Sequence, residues 1–360
     1  MKRIFITDCE GPVSKNDNAF ELTAHFVPHG EKLFTVISRY DDVLADIVRK
    51  PGYNAGDTLK LILPFLKAYD VTDRKMQEYS AQHLVLIPNI KDTLKHIMEV
   101  AHAFIVSTSY EHYLKALCQA IDFPYENTYC TKLKIDNYRM TREEKDKLRE
   151  TVKEIAQMPI FEIPTEAKYL SDFSEEDQKI VRRLDEIFWK EIACSDCGRI
   201  FSEVNPVGGS EKAVAVRAAI RRVKAKLADV MYVGDSITDV ETLKLVKENG
   251  GLSVSFNGNH YAVRNAEIAI LSEHSIVTAI VADAFSRFGK KHVLRLVENW
   301  NHDALQKSQV NKTLHSSLLK LYTKELPKVK IITTENMMIL AEESSKFRKQ
   351  VRGEAIGRLG

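Results

Sequence analysis

The run Ile4-Phe5-Ile6 is apolar at every position and stops against Thr7-Asp8-Cys9-Glu10-Gly11-Pro12. An apolar run without alternation forms a strand covered on both faces, the kind found in parallel sheets. Gly-Pro cannot continue such a strand. The carboxylates of Asp8 and Glu10, spaced i and i+2, therefore sit at the carboxyl end of a buried strand. Ionised groups there are costly unless a cation or bound ligand stabilises them. Taken alone, the stretch reads equally well as a strand closing in an acidic turn.

Two later runs end in the same way. Ala103-Phe104-Ile105-Val106 stops at Ser107-Thr108-Ser109, and Val230-Met231-Tyr232-Val233 stops at Gly234-Asp235-Ser236-Ile237-Thr238-Asp239. Each is followed by a helix-forming segment, from about Glu111 to Ile121 and from Glu241 to Glu248. Leu252 to Phe256 reads as a fourth strand, Ala266 to Leu271 as a short fifth, and Tyr129 to Met140 as a strand or hairpin. Asn89 to Val100 and Gly208 to Leu227 carry helical periodicity. This alternation predicts an α/β fold with a Rossmann-like, doubly wound parallel sheet. Residues 14–85 read as a mostly helical segment, and the highly charged residues 141–200 as solvated helices. From Ile276 onward the pattern is helical, and the basic tail Lys346–Arg358 is expected to fray.

In doubly wound sheets, ligands lie beyond the carboxyl ends of the strands. Asp8, Glu10, Ser107, Asp235 and Asp239 would gather there, with Lys212 arriving from the start of a helix. Four carboxylates in one crevice repel one another, and the set is consistent with a divalent cation. An all-oxygen ligand set points to Mg2+ rather than zinc. A hydroxyl and a lysine beside such a cation suit a phosphoryl group. Singly, the residues have plainer readings: Ser107 or Asp239 as a helix N-cap, Lys212 as a solvated first-turn lysine.

These motifs, in this order, resemble those of the haloacid dehalogenase superfamily. Asp8-Cys9-Glu10-Gly11 resembles its first motif, Ser107 the second, Lys212 the third, and Gly234-Asp235-Ser236-Ile237-Thr238-Asp239 the fourth. The D-x-E-G variant is similar to enolase-phosphatases and to some relatives of phosphoserine phosphatase. The chain is also similar to an archaeal group labelled subunit R of an energy-converting hydrogenase. The resemblance covers about residues 1–13, 87–135 and 205–285. Pro12 departs from the Thr or Val common at its place.

The resemblance implies a Mg2+-dependent phosphomonoester hydrolase in which Asp8 attacks phosphorus and Glu10 is the acid and base. It implies that Ser107, Thr108 and Lys212 hold the phosphoryl group. Asp8, Glu10 through its backbone carbonyl, Asp235 and Asp239 would hold the metal, Asp239 directly or through water. The same residues would serve a phosphotransferase, and the helical extras an accessory or regulatory subunit. The expected division is a core of 1–13, 86–140 and 201–285, a helical cap at 14–85, an insertion or second cap at 141–200, and a C-terminal helical extension at 286–360.

Composition narrows the partners. With 52 Lys+Arg against 50 Asp+Glu, the chain offers no basis for nucleic-acid binding. No apolar run approaches the roughly 20 residues of a membrane span. A small phosphorylated metabolite is the expected partner, with the helical extras as surface for a second copy or another protein. The N-terminus is too short for a signal peptide, so a cytoplasmic location and five reduced cysteines are expected. Cys194-Ser-Asp-Cys197 lacks a second pair for zinc and reads as two unrelated thiols.

Overall fold

The computed structural model describes residues 2–164 and 167–359; Met1, Thr165, Glu166 and Gly360 lie outside it. Among the described residues seven strands form one sheet in the order β3-β2-β1-β4-β5-β6-β7. They are β1 (Ile4–Thr7), β2 (His102–Tyr110), β3 (Thr128–Thr131), β4 (Val230–Gly234), β5 (Leu252–Phe256), β6 (Ile268–Leu271) and β7 (Lys328–Ile331). The first six run parallel, and β7 is antiparallel on β6. Helices cover both faces, giving the α/β Rossmann-like architecture. Phe5, Ile105 and Met231 point into one apolar layer, while Ile4, Ile6, Phe104 and Tyr232 point into the other. That period of two on strands buried on both sides explains why no alternation is visible in the sequence.

Register positions the site. Thr7 lies opposite Ile105 of β2 and Val233 of β4. Asp8 therefore leaves β1 between the carboxyl-end halves of β2 and β4. The second strand runs longer than expected. It continues through Ser107-Thr108-Ser109 to Tyr110, because Ser107 pairs with Cys130 and Tyr110 with Thr131 across a register shift. Ser107 is therefore held at an irregularity inside a strand rather than at a helix N-cap.

Residues 14–85 and 141–200 do not form separate cores. Leu33, Val36 and Leu63 share one apolar cluster with Val152, Leu184 and Phe188. Charge density along Arg142–Gln157 marks its outer face, while Leu148, Val152 and Ile155 at spacings of three and four face inward.

The C-terminal segment corrects two expectations: it is not helical throughout, since Lys328–Ile331 forms β7 by pairing with β6, and its tail is not frayed. The helix Met337–Arg352 is continuous, and Leu340, Ala341, Ser344, Arg348 and Arg352 on one stripe are buried. Ser344 Oγ donates to the Gly258 carbonyl at 2.6 Å, fastening the helix beside the loop after β5. No helix among the described residues is long and apolar enough to cross a membrane.

Candidate active site

Asp8 leaves β1 with its amide donating to the Val233 carbonyl at 2.8 Å, so the sheet fixes its backbone. Its Oδ1 accepts from the Cys9 amide at 2.6 Å and its Oδ2 from Lys212 Nζ at 2.6 Å. Lys212 stands in the first turn of the helix Ser210–Arg222 and is wholly buried. Its ammonium also donates to Asp239 Oδ1 at 2.7 Å. A lysine out of water between two carboxylates is not a solvated first-turn residue.

Asp239 is fully engaged. Tyr232 donates its hydroxyl to Oδ1 at 2.6 Å, and the amides of Asp235 and Ser236 donate to Oδ2 at 2.9 and 3.0 Å. It thereby folds the loop after β4 and orients Lys212. Gly234 is required beside it, since a Cβ there would meet Asp239 Cγ at 2.5 Å. Asp239 begins the helix Val240–Glu248 without capping it through its side chain.

Asp235 packs against Gly11. At φ +105° Gly11 occupies a conformation open mainly to glycine, and a Cβ there would lie 2.2 Å from Asp235 Oδ2. Asp8, Asp235 and Asp239 each offer a carboxylate oxygen, all within 4.8 Å of one another. The outer side of Asp235 holds what sequence reasoning missed. Arg348 Nη1 and Arg352 Nη1 both donate to its Oδ2. The only signal in the sequence was the i, i+4, i+8 spacing of Ser344, Arg348 and Arg352 on a stripe that begins apolar.

Glu10 turns the other way. Its Oε1 accepts from the Asn18 amide at 2.7 Å, at the start of the helix Asn18–Phe26, and its carboxylate is not among the three clustered oxygens. Ser107 and Ser109 bond each other at 3.1 Å, while Thr108 Oγ1 is buried with no hydrogen-bond partner among the described residues. Gly56 closes over Thr108, where a Cβ would come within 2.9 Å of its methyl. A cleft of about 90 Å³ joins these groups and is lined by Asp8, Glu10, Thr108, Asp235, Arg348 and Arg352. Asp17, Asp41 and Asp42 add carboxylates from the helical side. Arg49 and Lys50 are not on its wall, and Arg39 Nη1 lies 3.5 Å from Asp42 Oδ2. The five cysteines are free, with Cys194 exposed and Cys197 buried.

The model of the haloacid dehalogenase-like hydrolase family matches residues 75–284, more than half the chain. The chain belongs to that family. A structure of gene product AF1437 from Archaeoglobus fulgidus is similar over 100% of this hydrolase and 99% of its own chain, at 26% identity and a TM-score of 0.79. Apo phosphoserine phosphatase matches at 12% identity and a TM-score of 0.42, over 76% of this chain and 96% of its own. A phospho-aspartyl intermediate analogue of phosphoserine phosphatase gives 12% and 0.43, over 74% and 92%. That likeness is too loose to carry a function. No curated protein matches the chain.

Burial dominates the electrostatics of this hydrolase's site. Burial pushes the Asp8 carboxyl up to about 7, with Asp239 and Asp235 adding to the effect and Lys212 opposing it. Burial, reinforced by Asp17, raises Glu10 well above the usual carboxylate range against the Asn18 amide and Arg352. Asp239 stays low although burial works against it, because Lys212, Tyr232 and the Asp235 amide hold the ionised form. The clustered oxygens of Asp8, Asp235 and Asp239 are hard ligands, a donor set that fits Mg2+.

Proposed function

We propose that the chain is a Mg2+-dependent phosphomonoesterase of small phosphorylated metabolites, with Asp8 as nucleophile. One observation carries this reading: the buried Lys212 ammonium bridges Asp8 and Asp239 beside Asp235, at the mouths of β1 and β4. Asp8 and Asp235 would hold the ion, with the Glu10 carbonyl, and Asp239 would hold the loop that presents them. When bound, Mg2+ supplies charge neutralisation for the nucleophile and the transferring oxygens.

Asp8 attacks phosphorus through a carboxylate oxygen, forming an acyl-phosphate as the ester oxygen departs. Glu10, whose carboxyl burial raises well above the usual range, gives its proton to the leaving alkoxide. Ionised in turn, it takes a proton from the water that attacks the acyl-phosphate. Lys212 offsets the charge that builds on the phosphoryl oxygens. Thr108, with its unpartnered hydroxyl, donates to one of those oxygens, beside Ser107. Water attack on phosphorus then releases inorganic phosphate and regenerates the Asp8 carboxylate.

The test is phosphate release from a panel of small phosphomonoesters by the purified protein, with and without Mg2+, beside Asp8→Asn. Release that needs both the metal and Asp8 supports the reading. No metal-dependent release, or an unaffected Asp8→Asn protein, defeats it.

A further inference from the structure

The two arginines on Asp235 are not equivalent. Arg352 donates Nε to the Lys15 carbonyl at 3.0 Å, Nη2 to the Asn16 carbonyl, and Nη1 to Asp235 Oδ2 at 3.2 Å. It fastens the C-terminal helix to the chain leaving β1. Among the described residues Arg348 reaches only Asp235, through Nη1 to Oδ2 and to the main-chain carbonyl. Its Nε is buried and finds no hydrogen-bond partner among the described residues. The residue is 3% exposed and lines the cleft that holds Asp8 and Glu10.

Buried donors are nearly always paired, so an unpaired one on a cleft wall marks a place for an acceptor from outside. Charge leads the same way. A divalent cation on Asp235 takes over the counter-charge that Arg348 now uses, and leaves a buried guanidinium without an anion. Asp17, the other carboxylate that acts on Arg348, already caps the Phe20 amide at 3.0 Å. A guanidinium fork matches the paired oxygens of a carboxylate or phosphate.

Resting on the phosphomonoesterase reading, we propose that Arg348 is a specificity-determining residue that binds a second anionic group of the substrate. That group is a carboxylate or second phosphate on the molecule whose phosphoryl group Asp8 attacks. Substrate selection then depends on the C-terminal helix as well as on the helical segment over the cleft.

Calorimetric binding of uncleavable phosphonates to the Mg2+-loaded protein tests this without turnover. The probes are 3-phosphonopropionate, propane-1,3-bisphosphonate and propylphosphonate, which carry a carboxylate, a second phosphonate and no second anion. One of the first two should bind at least about tenfold more tightly than propylphosphonate, and which one identifies the anion. In Arg348→Gln that ratio should fall to about twofold, with propylphosphonate binding little changed. Arg348→Lys keeps a charge on Asp235 and loses the fork, so it should fold where Gln does not and still lower the ratio about threefold. Equal binding of all three probes by the wild type, or an undiminished ratio in both variants, would overturn the proposal. Failure to release phosphate from any ester would defeat the phosphatase reading alone, since the phosphonates are bound and not cleaved.

Discussion

Lys212 Nζ lies 2.6 Å from Asp8 Oδ2 and 2.7 Å from Asp239 Oδ1, so one buried ammonium ties the loop after β1 to the loop after β4. Removing it strands two carboxylates out of water. Lys212→Met should cost about 3–5 kcal/mol in denaturant unfolding, the usual result of breaking a buried ion pair from one side. Phosphate release should fall by about 100-fold or more. A variant as stable as the wild type would show that the pair is not structural.

Gly11 and Asp235 are in contact through a position that has no room for a methyl group. Gly11→Ala should displace the Asp235 carboxylate, with backbone strain of roughly 1–3 kcal/mol besides. Mg2+ binding by calorimetry is the decisive readout, and unchanged affinity would separate Asp235 from the metal site.

Tyr232 holds Asp239 from within β4, at 2.6 Å. Tyr232→Phe keeps the ring packing and leaves Lys212 and two amides on Asp239. The expected loss is therefore small, about 1 kcal/mol in stability, with Mg2+ affinity retained. Loss of folding would mean that the hydroxyl bond organises the whole loop.

The carboxyl of Asp42, buried at the end of the helix Gly30–Asp42, is pushed up to about 7 by burial, with Arg39 opposing and Asp46 adding to the shift. A carboxyl raised in the fold favours the protonated native state. Its contribution to stability is therefore complete below the unfolded value near 3.8 and lost as pH rises through about 7. The metal-free protein should lose melting temperature between about pH 4 and 7, and Asp42→Asn should lose less. Parallel pH profiles for the two proteins would count against this assignment.

The sheet was legible because strands buried on both faces leave continuous apolar runs, and Asp8 and Asp235 follow such runs directly. The sequence offers Asp239 as a metal ligand or N-cap, and the structure gives it bonds to Lys212, Tyr232 and two amides, of which the Tyr232 and amide bonds have no local signature. Ser107 looked like the residue after a strand because pairing with β3, which extends β2 to Tyr110, has no local signature.

The sequence by itself determined strands β1, β2, β4, β5 and β6 and which carboxylates follow them, since both depend on neighbouring residues, whereas β7 lies in a stretch that reads as helical and forms only by pairing with β6. Tertiary structure alone decided that residues 14–85 and 141–200 share one core, and that Arg348 and Arg352 reach Asp235 from more than a hundred residues away. Their burial depends on a helix docking beside the loop after β5. A basic residue in a charged tail reads as solvated until the partner that removes it from water is known.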